Sequence, residues 1–403
     1  MSELSYLEKL LDGGEVKWLP LGKLGELVRG NGLPKSDFTE SGVPAIHYGQ
    51  IYTFYGLSTE TTKSFVSQET AKNLKKVNSG DVVITNTSEN FTDVGKALVY
   101  LGKEQAVTGG HATIFRPNST IIGKYFAYFT QTDSFANEKR KYSKGTKVID
   151  VSASDMAKIT IPIPCPDNPE KSLAIQSEIV RILDKFSALT AELTAELSMR
   201  KKQYNYYRDQ LLSFKEDEVE GKRKTLGEIM KMRAGQHISA HNIIERKEES
   251  YIYPCFGGNG IRGYVKEKSH DGEHLLIGRQ GALCGNVQRM KGQFYATEHA
   301  VVVSVMPGIN IDWAFHMLTA MNLNQYASKS AQPGLAVGKL QELKLFVPSI
   351  ERQIYIAAIL DKFDTLTNSI TEGLPREIEL RQKQYEYYRD MLFSFLKPEV
   401  AEA

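Results

Sequence analysis

The sequence has few cysteines, no long apolar segment and no signal-peptide pattern in its first residues. Its three cysteines, Cys165, Cys255 and Cys284, are far apart and odd in number, and none belongs to a CxxC pair. This pattern excludes a disulfide framework and a structural zinc site, so we expect buried free thiols. No stretch approaches the roughly eighteen apolar residues of a membrane span. The N-terminus carries acidic residues where a signal peptide would have a basic and then an apolar segment. We therefore expect a cytoplasmic protein with no membrane partner.

The sequence also lacks the motifs of enzymes that modify or cut DNA. There is no Asn-Pro-Pro-aromatic or Asp-Pro-Pro-Tyr run for amino methylation and no GxxxxGK phosphate loop. Pro166-Asp167 and Glu170-Lys171 have the residue types of a nuclease site, but their spacing is wrong and Asn168-Pro169 fits a helix start better. We predict that the chain has no catalytic residues, no metal ligands and no cofactor of its own.

The charge balance is close to neutral. A net charge of +2 over 403 residues argues against a protein that coats nucleic acid through bulk charge, although local basic patches are compatible with DNA binding. The length is sufficient for two or more domains, each with its own core. Composition alone therefore leaves DNA binding undecided.

An internal repeat organises the chain. Ile182-Leu-Asp-Lys-Phe186 recurs as Ile359-Leu-Asp-Lys-Phe363. Further on, Gln203-Tyr-Asn-Tyr-Tyr-Arg-Asp-Gln-Leu-Leu-Ser-Phe214 recurs as Gln384-Tyr-Glu-Tyr-Tyr-Arg-Asp-Met-Leu-Phe-Ser-Phe395. Two matches of this length in the same order divide the chain into two halves of similar plan.

Each repeated segment predicts a long helix, because its apolar residues follow the spacing of four and three that is typical of a coiled-coil seam. Asn168-Pro169-Glu170 provides a start for the first helix, and Ser349 provides a cap for the second. Gly373-Leu-Pro375 predicts an interruption of the second helix. The residues with this spacing in the first helix are Ile175, Ile179, Ile182, Phe186, Leu189, Leu193, Tyr204, Tyr207, Leu211 and Phe214.

The first helix contains a tandem repeat of four residues. Thr190-Ala-Glu-Leu193 is followed by Thr194-Ala-Glu-Leu197. One copy adds just over one helical turn, about 6 Å. The number of copies could therefore act as a ruler for the distance between the two ends of the helix, while the Ala and Glu side chains themselves fit a solvated helix face.

A third trace of the repeat concerns the chain ends. Tyr6, Leu10 and Leu11 at the N-terminus have the same spacing as two later sets of residues. These sets are Tyr207, Leu211 and Leu212 at the end of the first helix, and Tyr388, Leu392 and Phe393 near the C-terminus. The repeated unit therefore does not begin and end with the chain. A cyclic arrangement, in which the two termini lie close together, explains this offset.

Two globular domains of different sequence lie between the helices. Both contain short β-branched and aromatic runs bounded by glycine, which are strand signals and predict an α+β fold. We place the first domain at residues 1–165, the central helix at 166–215, the second domain at 216–348, and the C-terminal helix with its tail at 349–403. The clearest of these runs are Asp81-Val-Val-Ile-Thr85, Leu98-Val-Tyr-Leu101, Leu275-Leu-Ile277 and Val301-Val-Val-Ser-Val305.

Motifs in both domains resemble those of a known family. The first domain contains Val43-Pro-Ala-Ile-His-Tyr-Gly-Gln-Ile-Tyr52, Thr87-Ser-Glu-Asn90 and Gly109-Gly-His111. The second contains Tyr253-Pro-Cys-Phe-Gly-Gly-Asn-Gly-Ile-Arg-Gly-Tyr264, Gly278-Arg-Gln-Gly-Ala-Leu-Cys-Gly-Asn-Val287 and Ala296-Thr-Glu-His-Ala300. Together with the alternation of two variable domains and two near-identical helices, these motifs make the whole chain resemble the specificity subunit of a Type I restriction–modification enzyme, most closely the type IC subgroup.

The resemblance implies a fold and a set of partners. Two target-recognition domains would be joined by two long antiparallel coiled-coil helices in a pseudo-twofold cyclic arrangement. Each domain would read one half of a bipartite target in double-stranded DNA, while the helices hold the halves apart and dock two methyltransferase subunits. Two restriction subunits would join for ATP-dependent cleavage. Adenine-N6 methylation and the cofactors S-adenosylmethionine, ATP and Mg²⁺ would belong to those partners.

Polar side chains within these motifs are candidates for base reading, because arginine recognises guanine and asparagine or glutamine recognises adenine in the major groove. His111 and His299 each precede a β-branched run, in corresponding places of the two domains. A histidine that holds a loop in place is an equally good interpretation of both. Arg279 is the sharpest candidate, since it lies close to glycines. The candidates are Tyr48, Gln50, Thr85, Ser88, Glu89, Asn90 and His111 in the first domain, and Asn259, Arg262, Arg279, Gln280 and His299 in the second.

Basic residues and glycines are candidates for phosphate contacts, which position a protein on DNA without specifying sequence. A solvated surface is the alternative interpretation for the basic run, and turn formation is the favoured alternative for each glycine. The candidates are Lys139, Arg140, Lys141, Lys144, Lys147, Gly257, Gly258 and Gly260.

Two other functions are compatible with parts of the sequence. The helices alone would also suit a coiled-coil scaffold with two protein-binding domains, and salt-dependent, sequence-selective binding of duplex DNA separates that function from a specificity subunit. A fused single-chain methyltransferase or nuclease is the second alternative, and the missing cofactor motifs speak against it.

Overall fold

The structure is a computed structural model that describes residues 6–214, 219–258, 260–281, 283–329 and 333–397. The chain forms two compact units. Unit 1 contains residues 1–192 and 379–403, and unit 2 contains residues 193–378. Each unit therefore combines one globular domain with one segment from each helical repeat, which confirms the predicted α+β class.

The first domain is built on two five-stranded mixed sheets. Its central strands are mostly apolar because both faces of the sheet are covered, as the fully buried run Val82–Thr85 shows. The first sheet has the order Gly25–Arg29, Ala112–Pro117, Val82–Thr85, Ala97–Tyr100 and Ser58–Thr59. The second has the order Phe38–Thr39, Ser64–Val66, Val43–Ile46, Ala106–Thr108 and Lys75–Val77. The helices are Tyr6–Leu11, Leu21–Leu24, Tyr48–Thr53, Gln68–Lys72, Gly123–Phe129, Asp133–Tyr142 and Ala153–Met156.

The second domain repeats this plan with fewer strands. Its main sheet has the order Met230–Ala234, Ala300–Val305, Glu273–Gly278 and Val287–Lys291, and its smaller sheet has the order Gly260–Val265, Tyr253–Gly257 and Tyr295–Ala296. The helices are Leu226–Ile229, Ile311–Ala320 and Val337–Gln341. The four strand runs predicted from the sequence are therefore confirmed, with at least one end of each shifted by one or two residues.

Each domain opens and closes with a pair of antiparallel strands. Val16–Pro20 pairs with Thr160–Pro164, and Gly221–Thr225 pairs with Lys344–Pro348. The opening strands are not among the strand runs predicted from the sequence. Gly221–Thr225 is a highly charged and mostly exposed strand, so its sequence carries no hydrophobic alternation. Each opening strand is followed by a single-turn helix, Leu21–Leu24 in the first domain and Leu226–Ile229 in the second.

The helical frame consists of the central helix Pro169–Leu212 and the two C-terminal helices Ile350–Asn368 and Leu374–Leu392. The predicted caps are confirmed: the Lys171 backbone N–H donates to Asn168 Oδ1 over 3.1 Å, and the Arg352 N–H donates to Ser349 Oγ over 3.5 Å. The predicted interruption is confirmed too, because Gly373 adopts a φ of +82° ahead of Pro375.

The two helical repeats make reciprocal contacts. In unit 1 the Phe186 ring stacks on Tyr388 with centroids 5.1 Å apart, and in unit 2 the equivalent Phe363 stacks on Tyr207 at 5.6 Å. Each unit therefore contains the first part of one repeat and the last part of the other, packed antiparallel as predicted.

The chain ends meet in unit 1. Leu7 lies in the same core as Leu392 and Phe393, and the Trp18 indole N–H donates to the Leu396 carbonyl over 3.2 Å. This agrees with the cyclic arrangement that the offset repeat predicts. The three cysteines are free and buried, as expected. No helix in the described part of the chain is long and apolar enough to cross a membrane.

Candidate nucleic-acid interface

One histidine occupies the same position in both domains. His111 precedes the strand Ala112–Pro117, and His299 precedes Ala300–Val305. The backbone N–H of Asn86 donates to the His111 carbonyl over 2.9 Å, and that of Arg279 donates to the His299 carbonyl over 2.8 Å. The correspondence inferred from the sequence is therefore a structural one.

Both imidazole rings are held by the residue that follows this backbone contact. His111 Nδ1 lies 2.8 Å from Thr87 Oγ1, and His299 Nδ1 lies 2.6 Å from Gln280 Oε1. A hydrogen bond at Nδ1 fixes the plane of the ring. In the second domain the Nε2 of His299 also lies 3.5 Å from Glu298 Oε1. The two domains thus orient a histidine in the same way, through a threonine in the first and a glutamine in the second.

In the first domain the ring of Tyr48 packs on this histidine. Its centroid lies 4.8 Å from that of His111 and 4.5 Å from that of His47. His47 is buried and caps the helix Tyr48–Thr53 by accepting from the Gly49 N–H over 3.2 Å. Gln50 donates to Ser64 Oγ over 2.5 Å, while its Oε1 is buried and has no hydrogen-bond partner among the described residues.

Ser88, Glu89 and Asn90 form a turn beside the same histidine. Ser88 Oγ accepts from the Asn90 N–H over 3.1 Å, and Asn90 Oδ1 accepts from the Thr92 N–H over 2.9 Å. Glu89 and Asn90 are exposed. The structure therefore brings Tyr48, His111 and this turn together on one surface.

Thr85 does not belong to this surface. It is fully buried, and its hydroxyl donates to the Asp93 carbonyl over 2.8 Å. The strand that contains it is covered on both faces, so its side chain cannot reach a base. The position does not fit the predicted base contact.

In the second domain Arg279 and Gln280 lie beside His299. Arg279 is half-buried, and its Nη1 donates to the Glu298 carbonyl over 3.3 Å, whereas Gln280 is exposed. Arg262 is exposed and its aliphatic stem covers Gly257, where a Cβ would stand 2.7 Å from Arg262 Cδ. These side chains form the second candidate surface.

The glycines of this surface have structural reasons to be glycine. A Cβ at Gly258 would lie 2.9 Å from the carbonyl oxygens of both Gln280 and His299, and Gly260 has a φ of +96°. These constraints account for the residue type without a phosphate. Asn259, the remaining candidate of this loop, lies outside the described residues.

The basic run of the first domain divides into buried and exposed members. Lys139 is buried and its ammonium donates to the Phe91 and Val94 carbonyls, at 2.9 and 2.5 Å. Burial lowers the pKa of Lys139 to about 8. Because this side chain is enclosed and hydrogen-bonded, the predicted phosphate contact does not fit its position.

The other basic residues are exposed. The Arg140 guanidinium lies 4.6 Å from the centre of the Phe91 ring, Lys141 pairs with Glu138 at 2.6 Å, and Lys144 pairs with Asp155 at 2.8 Å. Lys147 is exposed as well. The loop that carries Lys144 and Lys147 leads into Ile149–Asp150, which pairs with Thr87–Ser88. The basic loop therefore borders the first candidate surface.

Residues that the sequence did not single out complete the two surfaces. Thr87 holds His111, and His237 Nδ1 lies 2.9 Å from Glu298 Oε1 beside His299. Thr87 directly precedes the candidates Ser88, Glu89 and Asn90, so its position in the sequence already indicated a place on this surface. His237 is sixty-one residues from Glu298 along the chain, and no sequence pattern links the two.

Comparison with known proteins agrees with this architecture. A family model described as the Type I restriction modification DNA specificity domain matches residues 14–199 and 218–380. The chain belongs to this family. It is 66% identical over 386 residues to the Type I restriction enzyme EcoprrI specificity subunit of Escherichia coli, an alignment that covers 92% of this chain and 93% of the relative. It is also 42% identical over 425 residues to the EcoR124I/EcoR124II specificity subunit of the same species, with 99% of each covered.

Solved structures give the same fold for this specificity subunit. The S subunit of a Type I restriction–modification system from M. genitalium superposes with a TM-score of 0.63 at 15% identity, covering 96% of this chain and 98% of that one. A chain from a study of complex assembly and conformational transition of the type I R-M system gives a TM-score of 0.55 at 16% identity, with 94% and 98% covered. Membership of the type IC subgroup stays a prediction.

Proposed function

We propose that this specificity subunit directs a Type I restriction–modification complex to a bipartite DNA target, and that each recognition domain reads one half. The observation that carries the proposal is the repeated surface: an Nδ1-anchored histidine, at the same position in both domains, surrounded by different polar side chains. A common scaffold with divergent side chains suits two modules that perform the same task on different base sequences.

The chemistry of the two surfaces supports different half-targets. The second surface presents Arg262, Arg279 and Gln280, which suit guanine and adenine edges in the major groove. The first presents Tyr48 and Asn90 with the acidic Glu89, which can accept from cytosine. We therefore expect at least one guanine in the half read by the second domain.

Phosphate contacts fit the exposed part of the basic run. The loop with Lys144 and Lys147 borders the first surface, and Arg140 lies over the ring of Phe91, the residue after Asn90. Together with the exposed Lys141, these residues can position that domain on the duplex without reading bases. Lys139 is omitted from this role because it is buried.

The chemistry would be carried out by partners. We propose that the helices dock two methyltransferase subunits and, for cleavage, two restriction subunits in the cytoplasm. These partners would use S-adenosylmethionine, ATP and Mg²⁺ for adenine-N6 methylation and ATP-dependent cleavage. The specificity subunit would supply sequence recognition and no catalytic group.

The test is to express the chain with a cognate modification subunit in a methylation-free host and to map N6-methyladenine across the genome. We expect a split motif with one methylated adenine in each half, on opposite strands. A soluble, stoichiometric complex that leaves the genome unmodified would contradict the proposal and favour the coiled-coil scaffold.

A further inference from the structure

The two recognition domains rest on the helical frame through the same pair of frame residues. Gln176 and Asp184 serve unit 1, and Gln353 and Asp361 serve unit 2. Within each pair the residues are eight positions apart, and the second pair follows the first by 177 residues, as in the repeat. We call Gln176 with Asp184 the first anchor pair and Gln353 with Asp361 the second anchor pair.

Each glutamine binds the backbone at the start of a recognition-domain helix. Gln176 Oε1 accepts from the Ile122 N–H over 2.9 Å, and its Nε2 donates to the Thr120 carbonyl over 3.0 Å. Gln353 Oε1 accepts from the Asn310 N–H over 2.9 Å, and its Nε2 donates to the Gly308 carbonyl over 3.3 Å. Both glutamines are buried.

Each aspartate binds a buried side chain six residues further along that helix. Asp184 Oδ1 accepts from the Tyr128 hydroxyl over 2.7 Å, and Asp361 Oδ1 lies 2.8 Å from His316 Nε2. A cation from the recognition domain completes each contact: Lys124 lies 2.9 Å from Asp184, and Arg289 pairs with Asp361. The frame side is thus identical in both units, while the domain side changes from tyrosine to histidine.

The repeat keeps the glutamine while its immediate neighbours change. Around the glutamine, Ile175 and Ser177 of the first repeat correspond to Arg352 and Ile354 of the second. A glutamine retained between unrelated neighbours performs a task that both units share. Because each glutamine contacts its recognition domain through backbone atoms, this contact does not depend on the side chains of that domain.

We propose that the anchor pairs are positioning residues that fix the angle of each recognition domain on the frame and thereby set the spacer length that the complex accepts. The inference rests on the proposed function. Eight helical residues span about 12 Å, so each domain is held at two separated points. Two points define a direction, whereas one point is a pivot. Loss of the aspartate contact leaves the glutamine as a pivot, so the domain can meet its half-target at more than one separation.

Tyr128→Phe tests the first anchor pair, and Tyr125→Phe is its matched control. Both tyrosines lie in the helix Gly123–Phe129 and are fully buried. The Tyr125 hydroxyl donates to the Pro162 carbonyl over 2.7 Å, a bond that stays within the recognition domain. Each variant therefore loses one buried hydroxyl, but only Tyr128→Phe loses a bond to the frame.

The experiment uses the full chain in complex with its modification subunit. Methylation rates are measured on duplexes that carry both half-targets with the spacer unchanged, one base pair shorter or one base pair longer. For Tyr128→Phe we expect the rate on the altered spacers, relative to the unchanged spacer, to rise about tenfold over wild type, because a hydrogen bond to a charged group is among the stronger ones. For Tyr125→Phe we expect the same ratio of rates on altered and unchanged spacers as in wild type, and a loss of thermal stability similar to that of Tyr128→Phe.

A second pair of variants covers the case in which Tyr128→Phe does not assemble. Asp184→Ala loses both the tyrosine hydroxyl and the pairing with Lys124, so its ratio should rise at least as far as that of Tyr128→Phe. Asp184→Asn keeps an oxygen acceptor for the hydroxyl but loses the charge that pairs with Lys124, so its ratio should lie between those of wild type and Asp184→Ala. Equal spacer ratios for Tyr128→Phe and Tyr125→Phe, or for Asp184→Ala and wild type, would overturn the inference. Failure of the proposed function is recognised separately, because the wild-type complex would then methylate no split target.

Discussion

Arg279 is the residue whose substitution should have the clearest effect on recognition. Its backbone fixes His299 and its side chain lies at the edge of the second surface. We expect Arg279→Ala to weaken or relax recognition of only the half-target read by the second domain, by about 1–3 kcal/mol if the contact with guanine is bidentate. Competitive binding to duplexes with single base changes in each half measures this effect.

The control for Arg279→Ala is Arg246→Ala, which removes the same charge from an exposed position of the same domain. It should weaken binding to all sequences slightly and leave the methylation motif unchanged. If the motif of Arg279→Ala is also unchanged, Arg279 does not read a base.

At the residue scale the sequence identified surfaces better than it identified individual side chains. His111 and His299 were selected because they precede β-branched runs, and Arg279 because it lies close to glycines. Their contacts with bases stay predictions. Lys139 was misjudged because a basic run suggests a solvated face. Phe135 lies four residues earlier on the same helix and is buried, so the helical period already placed Lys139 toward the core.

Among the elements, the central helix carries the prediction about spacing. The boundary between the two units falls between Glu192 and Leu193, inside the tandem repeat Thr190–Leu197. Deleting Thr194–Leu197 shortens the helix by about 6 Å and rotates one end by about 40° relative to the other. We expect both half-targets to be retained and the spacer to change, as read from the methylation motif of the complex.

The control for this deletion changes the side chains of the tandem repeat without changing the length of the helix. Replacing Glu192 and Glu196 by glutamine keeps the helix length and should leave the spacer as it is. A deletion variant that methylates the original motif with its original spacer would refute the ruler hypothesis.

The helices were the most predictable elements, because caps, breakers and apolar spacing act locally. Asn168, Ser349 and Gly373 therefore fixed three helix ends in advance. The opening strand Gly221–Thr225 was missed because strand pairing with Lys344–Pro348 depends on residues over a hundred positions away. The anchor pairs had a detectable signal, a glutamine and an aspartate at the same offset in both repeats, but their partners were visible only in the fold.

For the whole molecule, the difference between the two anchor contacts predicts a difference in pH dependence between the units. In unit 1 the buried partner is Tyr128, whereas in unit 2 it is His316, which is fully buried. His316 faces Asp361, Arg289 and the Tyr204 hydroxyl. Burial lowers the pKa of His316 below 6.5, and Arg289 acts in the same direction while Asp361 opposes it.

Because the pKa of His316 is lower in the folded state, the unfolded state binds more protons below about pH 6.5. The stability associated with the neutral imidazole is complete above that pH and is lost as the pH falls through the folded pKa. We therefore expect acidification from about pH 7 to pH 5.5 to lower the free energy of unfolding of unit 2 through this residue.

The two tryptophans allow each unit to be followed separately, since Trp18 lies in unit 1 and Trp313 in unit 2, on the same helix as His316. In a Trp18→Phe background, urea unfolding followed by the fluorescence of Trp313 reports the stability of unit 2 at each pH.

Adding His316→Gln should remove part of the loss of stability on acidification, because the amide cannot be protonated in this range and the other histidines of unit 2 remain unchanged. In a Trp313→Phe background, Trp18 should report the same stability with and without His316→Gln. Identical pH profiles for unit 2 in both proteins would show that the neutral histidine does not govern this anchor, and that the two units differ there in shape rather than in protonation.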